Sequence, residues 1–514
     1  MWHIGIYVAA LVLIPIAHHW MRKWRNPRCN GRLPPGSMGL PLIGETIQFF
    51  IPSKSLDVPT FVKKRLKNYG PIFKTSLAGR PVVVSSDADF NYFIFQQEGK
   101  LVELWYMDSF AELLGLNSSL RDGLLGYVHK YLKKSVAEHF GPEILKGKVL
   151  PQLEEMASRT LDAWTRQEVL ETKHACSAMI LNFTSKLLFD YDHEKSKENL
   201  SETLTSITQG LMSFPLNIPG SSFHKSLQNR KKLLKMIRDM IEERQAYPET
   251  RRGDFLDHLI DDMKTNSLLT ENLITYVIFA LLLATSETIP TTLTLAIKLL
   301  TEHPLVKENV ELICGRESSE TGITWKEYKS MTFTMHVSQY VEEELNPNFV
   351  SRAEEDLQGQ PPPLTKASSK RINVINEALR MSGSAGILRR TIEDVHINGY
   401  IIPKGWAILV IPSALHLNPD TFRDPLTFNP WRWKDLEANL SAKNFIPFGG
   451  GMRSCGGAEY SKVLMAVFLQ ALVTKYRWTK VKGGEIVRSP ILGFGKGYYI
   501  EVSKNAESDQ SIEG

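Results

Sequence analysis

Cysteine is scarce in this chain: four residues in 514, at Cys29, Cys176, Cys314 and Cys455. None lies near another, so there is no C-x-x-C pair and no zinc-ligand spacing. Such sparse usage fits a reducing compartment. Any cysteine with a function must act alone. A strong charge of one sign is also missing. The net charge is +5, and no basic stripe interleaved with aromatics occurs, so nucleic acid is excluded as a partner. No internal repeat is present. Hydrophobic content of 43% and charged content of 23% are those of an ordinary globular protein, and the length suffices for a large core.

What is there begins with an apolar run from Ile4 to Ala17, uncharged until Arg22. It is short for a span of ~20 residues, but His18, His19 and Trp20 extend it to the interface. Lys23, Arg25 and Arg28 follow Arg22, which keeps that side cytosolic. Residues 1–30 read as a signal anchor with a basic flank. A cleaved secretory signal, or a helix lying on the membrane, stands as the alternative. Residues 31–46, with Leu33-Pro34-Pro35-Gly36 and then Gly39, Pro41 and Gly44, read as a stiff hinge. Residues 47–514 form the body.

The body is mainly α with small β-sheets. Pro71–Thr75 and Pro81–Ser85 are strand-like, with Ala78-Gly79-Arg80 as a hairpin turn between them. Residues 120 to 300 show helical periodicity. The longest predicted helix runs from Glu271 to Glu302, capped by Thr270. It is apolar nearly all round, which makes it a core helix or a second membrane span. Thr285, Ser286, Glu287 and Thr288 at its centre argue for the core, because a mid-helix carboxylate is expensive in lipid.

Residues 445–460 surround Cys455 with glycine: three before it and two after. Glycine lets backbone approach a flat ligand closely. A helical pattern, Ala458 to Tyr476, starts just beyond. Cys455 therefore sits at a loop–helix junction, where the helix dipole and backbone N–H groups favour a thiolate. Thiolate is the form that ligates iron.

Phe448, Gly451, Arg453, Cys455 and Gly457 spell F-x-x-G-x-R-x-C-x-G, and here the chain resembles the cytochrome P450 family. The resemblance implies that fold with an N-terminal membrane anchor helix, in the endoplasmic reticulum membrane with the catalytic domain cytosolic. It implies haem b, with Cys455 as axial iron ligand, Phe448 beside the sulfur and Arg453 on a propionate. Gly457 completes the loop.

Other segments carry the same resemblance. Glu377 and Arg380 match the E-x-x-R helix, and Arg432 in Phe428-Asn429-Pro430-Trp431-Arg432-Trp433 completes a structural trio. Ala284-Thr285-Ser286-Glu287-Thr288 resembles the oxygen-activating stretch, with Thr285 in place of the usual glycine. Its Glu287 and Thr288 form the acid–alcohol pair of a proton relay; back-bonding of Thr288 to its own helix is the competing reading. His129 and Lys133 take the places of W-x-x-x-R and would meet a propionate, as would Arg389.

Finer motifs, at 33–45 from Leu33-Pro34-Pro35-Gly36 to Glu45, at 70–75 in Gly70-Pro71-Ile72-Phe73-Lys74-Thr75 and at 428–433, resemble a plant microsomal branch acting on triterpenoids, sterols and brassinosteroid precursors. The implied partners are membrane lipid, O2, a hydrophobic sterol or triterpenoid and NADPH–cytochrome P450 reductase, docking near Lys130 and Lys134. The implied reaction is hydroxylation or further oxidation, driven by NADPH only indirectly, through that reductase. A haem-thiolate isomerase or dehydratase of lipid hydroperoxides is the rival, against which Glu287 and Thr288 argue. By analogy the pocket takes Trp105, Tyr106, Phe110, Leu211, Phe214, Phe279, Ala280, Leu283 and Ala284. Ala385, Ile387, Leu388, Leu492 and Phe494 close it.

One stretch departs from the family. About 37 residues, 338–374, separate Thr334-Met335-His336-Val337 from Ile375-Asn376-Glu377, a join the family makes directly. Their acidic and proline-rich composition reads as loop. Either the loop is genuine or the gene model retains an intron. The seamless join favours the latter; a genuine insertion that misplaces the E-x-x-R helix would keep haem from loading, and a non-functional splice or gene-model variant is a further alternative.

Overall fold

The computed structural model describes residue 24 and residues 29–115, 127–193, 199–211, 213, 215–317, 373–383, 386–434 and 443–505. The apolar run at 4–17 and nearly all of the 338–374 stretch lie outside the described residues, as do Phe214 and Ala385.

Helices dominate. Those that build the site are α1 (Ala88–Gln96), α2 (Tyr127–His139), α3 (Thr172–Phe189), α4 (Leu200–Leu211), α5 (Ser222–Ala246), α6 (Glu271–Glu302), α7 (Val374–Ser382) and α8 (Ala458–Lys475). One mixed sheet of five strands flanks them: β1 (Ile72–Leu77), β2 (Arg80–Ser85), β3 (Val102–Leu104), β4 (Ile387–Thr391) and β5 (Ala407–Val410), in the order β1-β2-β5-β4-β3. The expected hairpin forms, from Ile72 opposite Ser85 to Leu77 opposite Arg80. Its turn residues Ala78 and Gly79 have φ of 49° and 73°, the left-handed pair that a two-residue hairpin turn requires. β2 pairs in parallel with β5, and β4 is antiparallel to both β5 and β3.

The central helix α6 spans the range expected from the sequence, 32 residues. The Thr270 side chain accepts the N–H of Leu273 at 3.3 Å and so caps it. By length and composition it could cross a membrane, but it packs against α3, α4, α5 and α7 inside the protein. Its all-round apolarity is therefore that of a core helix. Pro290 lies within it and removes the N–H that the Ser286 carbonyl would otherwise accept. Ser177 of α3 donates to that carbonyl at 3.2 Å, so the freed acceptor is satisfied by a neighbouring helix.

Two apolar clusters fill the helical body. One joins α3, α4, α5 and the first half of α6; the other joins the second half of α6 with α7 and α8. Every residue of α7 is buried. Its start is pinned twice: the Asn373 side chain accepts from Asn376 N–H at 2.9 Å, and Asn373 N–H donates to Pro430 O at 3.0 Å. The helix carrying Glu377 and Arg380 is thus set by its own cap and by a distant segment.

Candidate active site

The cysteine loop is shaped by what it lies against. Gly449 and Gly451 have φ of 73° and 64°. A Cβ on Gly451 would sit 2.2 Å from the Phe95 carbonyl oxygen, and one on Gly450 would sit 2.6 Å from the Phe95 ring. Glycine is required there because the loop presses onto the end of α1. A short 3-10 turn, Gly451–Arg453, leads to Cys455, whose N–H donates to Phe448 O at 2.9 Å. Gly457 is the N-cap of α8.

The Cys455 thiol is reachable by solvent, although protein surrounds it closely. Burial pushes its pKa up; the Gly457 N–H and the Lys133 and Lys462 ammonium groups oppose that by favouring the thiolate. Lys462 lies 5.0 Å from the centre of the Phe448 ring. Lys133 donates to Ser454 Oγ at 2.7 Å and to Met452 O at 3.2 Å, and His129 Nε2 lies 3.3 Å from Met452 O. Both residues therefore brace the loop, a contact that spacing alone did not indicate. Burial and the Arg453 charge depress His129.

A second group is centred on Glu98. Its Oε1 accepts from Arg453 Nε at 3.0 Å and from Leu104 N–H at 3.1 Å, and its Oε2 lies 2.7 Å from Arg389 Nε. That last approach lacks hydrogen-bond geometry, so Arg389 Nε and Glu98 Oε2 are both buried without a hydrogen bond. Burial pulls Arg389 below its usual value and pushes Tyr106, beside both arginines, above its own.

Glu377, Arg380 and Arg432 meet in one cluster. Arg380 donates through Nε and Nη2 to both Glu377 oxygens, at 2.9 and 2.7 Å. Arg432 Nε and Asn429 N–H reach Oε1 at 2.9 and 3.1 Å, and Trp433 Nε1 reaches Oε2 at 3.1 Å. Arg380 Nη1 continues to His416 O at 2.9 Å. His416 Nε2 accepts from Ile446 N–H at 2.9 Å, two residues before Phe448. Glu98, Lys462, Lys173 and His416 were not singled out from the sequence. Glu98, Lys173 and His416 meet partners far along the chain, Arg453, Glu287 and Ile446, whereas Lys462 pairs with Glu459 on its own helix and stands over the Phe448 ring.

His416 yields a pH prediction. Burial and the nearby Arg380 and Arg488 charges depress its pKa to about 3. The unfolded chain therefore takes up a proton below about 6.5 that the folded chain refuses, and stability falls as pH drops from there towards about 3. His416→Gln, which keeps a side-chain acceptor, is expected to flatten the acid limb of a melting-temperature profile. The residual slope belongs in part to His139, depressed by burial to about 4.

On α6, Ala280, Ala284 and Thr288 are exposed at four-residue intervals on a helix otherwise largely buried. Thr288 Oγ1 donates to Ala284 O at 2.8 Å. Glu287 is ion-paired with Lys173 of α3, so neither group is bonded to the other. Among the remaining pocket candidates, Tyr106, Phe110, Leu211, Leu283, Ile387 and Leu388 are partly exposed. Phe279 is buried in the helical core, Trp105 against the sheet, and Leu492 and Phe494 in the α8 cluster.

The profile of the family described as Cytochrome P450 matches residues 34–339 and 372–497. The chain belongs to the cytochrome P450 family. The gap in the match falls inside the 338–374 stretch that departs from the family pattern. A β-amyrin 16-α-hydroxylase of Maesa lanceolata is 41% identical over 510 residues, covering 98% of this chain and 99% of the relative. A cucurbitadienol 11-hydroxylase of Siraitia grosvenorii is 41% identical over 507 residues, again covering 98% and 99%. A cholesterol 22-hydroxylase of Paris polyphylla is 34% identical, covering 97% and 97%. Among solved structures, a retinoic acid-bound cyanobacterial P450 superposes with a TM-score of 0.73 at 25% identity, covering 93% of this chain and 100% of that one.

A P450 uses haem, and the residues here fit it. A reachable cysteine stands at a helix start, and a buried arginine N–H that is ion-paired but makes no hydrogen bond suits an acidic ligand arm. Small residues line the exposed stripe of α6.

Proposed function

We propose that this P450 hydroxylates, or oxidises further, a triterpenoid, sterol or steroid, using O2 and electrons that pass from NADPH through a membrane-bound P450 reductase. The observation that carries this reading is full-length similarity to hydroxylases of β-amyrin, cucurbitadienol and cholesterol. Bound haem supplies the oxygen chemistry, placing one atom of O2 into a C–H bond. The protein's part is to hold, orient and protonate.

In this reading Cys455 ligates the iron. Arg389 and Arg453 hold the acidic arms of the cofactor, with His129 and Lys133 supporting the loop. Phe448 shields the sulfur. The Thr288 hydroxyl, with its proton given to Ala284 O, keeps its lone pairs for a water molecule. Glu287, held by Lys173 towards partly exposed surroundings, takes protons from solvent and passes them inward through water to Thr288. Glu287→Gln is expected to lower kcat on the order of 100-fold, with haem content and substrate-induced spectral shift unchanged.

The substrate lies along the partly exposed apolar residues Phe110, Leu283, Ile387 and Leu388, which suit a rigid hydrocarbon. The reductase approaches the cysteine side, where Lys130 and Lys134 are exposed. Membrane attachment is supported by Leu40, Leu42 and Ile43 within the hinge and Ile47 and Ile51 just after it, which stand 48% to 76% exposed. Residues 1–30 supply the anchor and the endoplasmic reticulum is the expected membrane.

The deciding experiment is incubation of the membrane-bound chain with reductase, NADPH and 18O2 against a triterpenoid and sterol panel. A product with one labelled oxygen, dependent on NADPH, is expected. Turnover of a lipid hydroperoxide without NADPH, and of no panel member, would replace this reading with an isomerase or dehydratase.

A further inference from the structure

We propose that Glu98 is a positioning residue for the cofactor: it holds Arg389 and Arg453 together and sets the charge they present to one acidic arm. The proposal rests on the reading that these arginines meet haem propionates. Glu98 follows α1 in a turn, with Gly99 at φ 77°. Its side chain is 2% exposed, and those of Arg389 and Arg453 are 3% and 7% exposed. Two guanidinium groups confined this way repel each other strongly in a poorly screened interior. A carboxylate shared between them removes that repulsion.

The same carboxylate joins three parts of the fold. Arg453 belongs to the cysteine loop, which packs on Phe95 of α1. Arg389 belongs to β4 and pairs in register with Leu104 of β3. Leu104 N–H itself donates to Glu98 Oε1. One side chain therefore fixes the distance between the loop that carries Cys455 and the strand that carries Arg389. It does so without using every donor. Arg389 Nε is charge-balanced by Glu98 yet makes no hydrogen bond, which leaves an N–H that can donate to an incoming acidic group.

The charge count sharpens the role. Arg389 and Arg453 with ionised Glu98 carry a net +1, the complement of one carboxylate. With a neutral residue in place of Glu98 the cluster carries +2, a surplus beside the porphyrin edge. Reduction of the iron adds an electron, so surplus positive charge favours the reduced state. A packing role predicts no such electrical consequence, which separates the two.

The test uses the full chain as Glu98→Gln, Glu98→Asp and Glu98→Ala. Glu98→Gln is expected to raise the midpoint potential of the iron while the reduced carbon monoxide spectrum keeps its thiolate position. Glu98→Asp, which keeps the charge, is expected to restore the parent potential. Glu98→Ala is expected to speed haem transfer to apomyoglobin roughly tenfold, the scale of losing a residue that orients a ligand. An unchanged potential in Glu98→Gln overturns the proposal whatever the other variants do. Reconstitution of the parent with haem dimethyl ester separates the premise. If esterified haem binds as tightly as free haem, the arginines do not bind propionates and the reading beneath fails. If the ester binds weakly while Glu98→Gln is silent, only the role of Glu98 fails.

Discussion

Cys455→Ser is expected to remove the thiolate-specific band from the reduced carbon monoxide spectrum and to lower hydroxylation by roughly 1000-fold or more, about 4 kcal/mol of transition-state stabilisation. The loop itself should survive, because its shape comes from Gly449, Gly450 and Gly451 against Phe95 and from the Cys455 N–H bond to Phe448 O, none of which uses the sulfur. What is lost, on the proposed reading, is the ligand. Serine is a poor anion at neutral pH, and a neutral hydroxyl donates little electron density to iron. A thiolate donates strongly and so promotes O–O cleavage. Three nearby groups favour the thiolate against the upward push of burial. Lys133 and Lys462 lie near enough to favour it, and the Gly457 N–H faces it. Cys176 is the internal control. It is fully buried, and burial raises its thiol well above the usual range, so it is inert. Cys176→Ala should keep the band in full. A Cys455→Ser protein that retains the band, or hydroxylates near the parent rate, would sink the assignment.

The features of the sequence that predicted structure well are those whose signal is local. α6 was delimited correctly because Thr270, the apolar run and the length are all contained in one stretch. The hairpin at Ala78-Gly79 was legible for the same reason. The Glu377–Arg380 pair was legible because three residues along a helix share a face. Glu98 was not. Its partner Arg453 is 355 positions away, and a single glutamate after a helix carries no pattern. His416 was invisible likewise, since only burial distinguishes it from an ordinary surface histidine. Apolar pocket residues form an intermediate case. Family analogy placed Phe279 and Trp105 on the pocket wall, but apolar character does not tell a cavity wall from a packed core, and both belong to packed clusters. Thr288 illustrates a different limit. Its place on α6 was readable, whereas the direction of its hydroxyl depends on the competition between a helix carbonyl and a pocket water.

Glu377→Ala is expected to cost more stability than any other single change outside the haem ligand. Glu377 and Arg380 are both fully buried, so the substitution leaves a guanidinium in the interior without its counter-charge. Breaking such a pair typically costs about 3–5 kcal/mol, a large part of the roughly 5–15 kcal/mol that stabilises a folded domain. Arg432 and the Trp433 indole also lose their acceptor. The chain should accumulate as haem-free, protease-sensitive protein.

The route from this lock to the cysteine is short. Arg380 holds the His416 carbonyl, the His416 ring holds Ile446 N–H, and Phe448 holds Cys455 N–H. A shift at Arg380 is therefore carried to the loop in three hydrogen bonds. Arg380→Lys should behave almost as badly, because an ammonium cannot supply the two donors Arg380 gives to Glu377 together with those it gives to His416 O and Pro425 O. The apolar double variant Glu377→Leu with Arg380→Met removes both charges and should regain part of the loss. The measurements are proteolysis and haem content across the cycle. Additive losses in the double variant, with no recovery over the worse single variant, would show that the pair does not act as a buried ion pair.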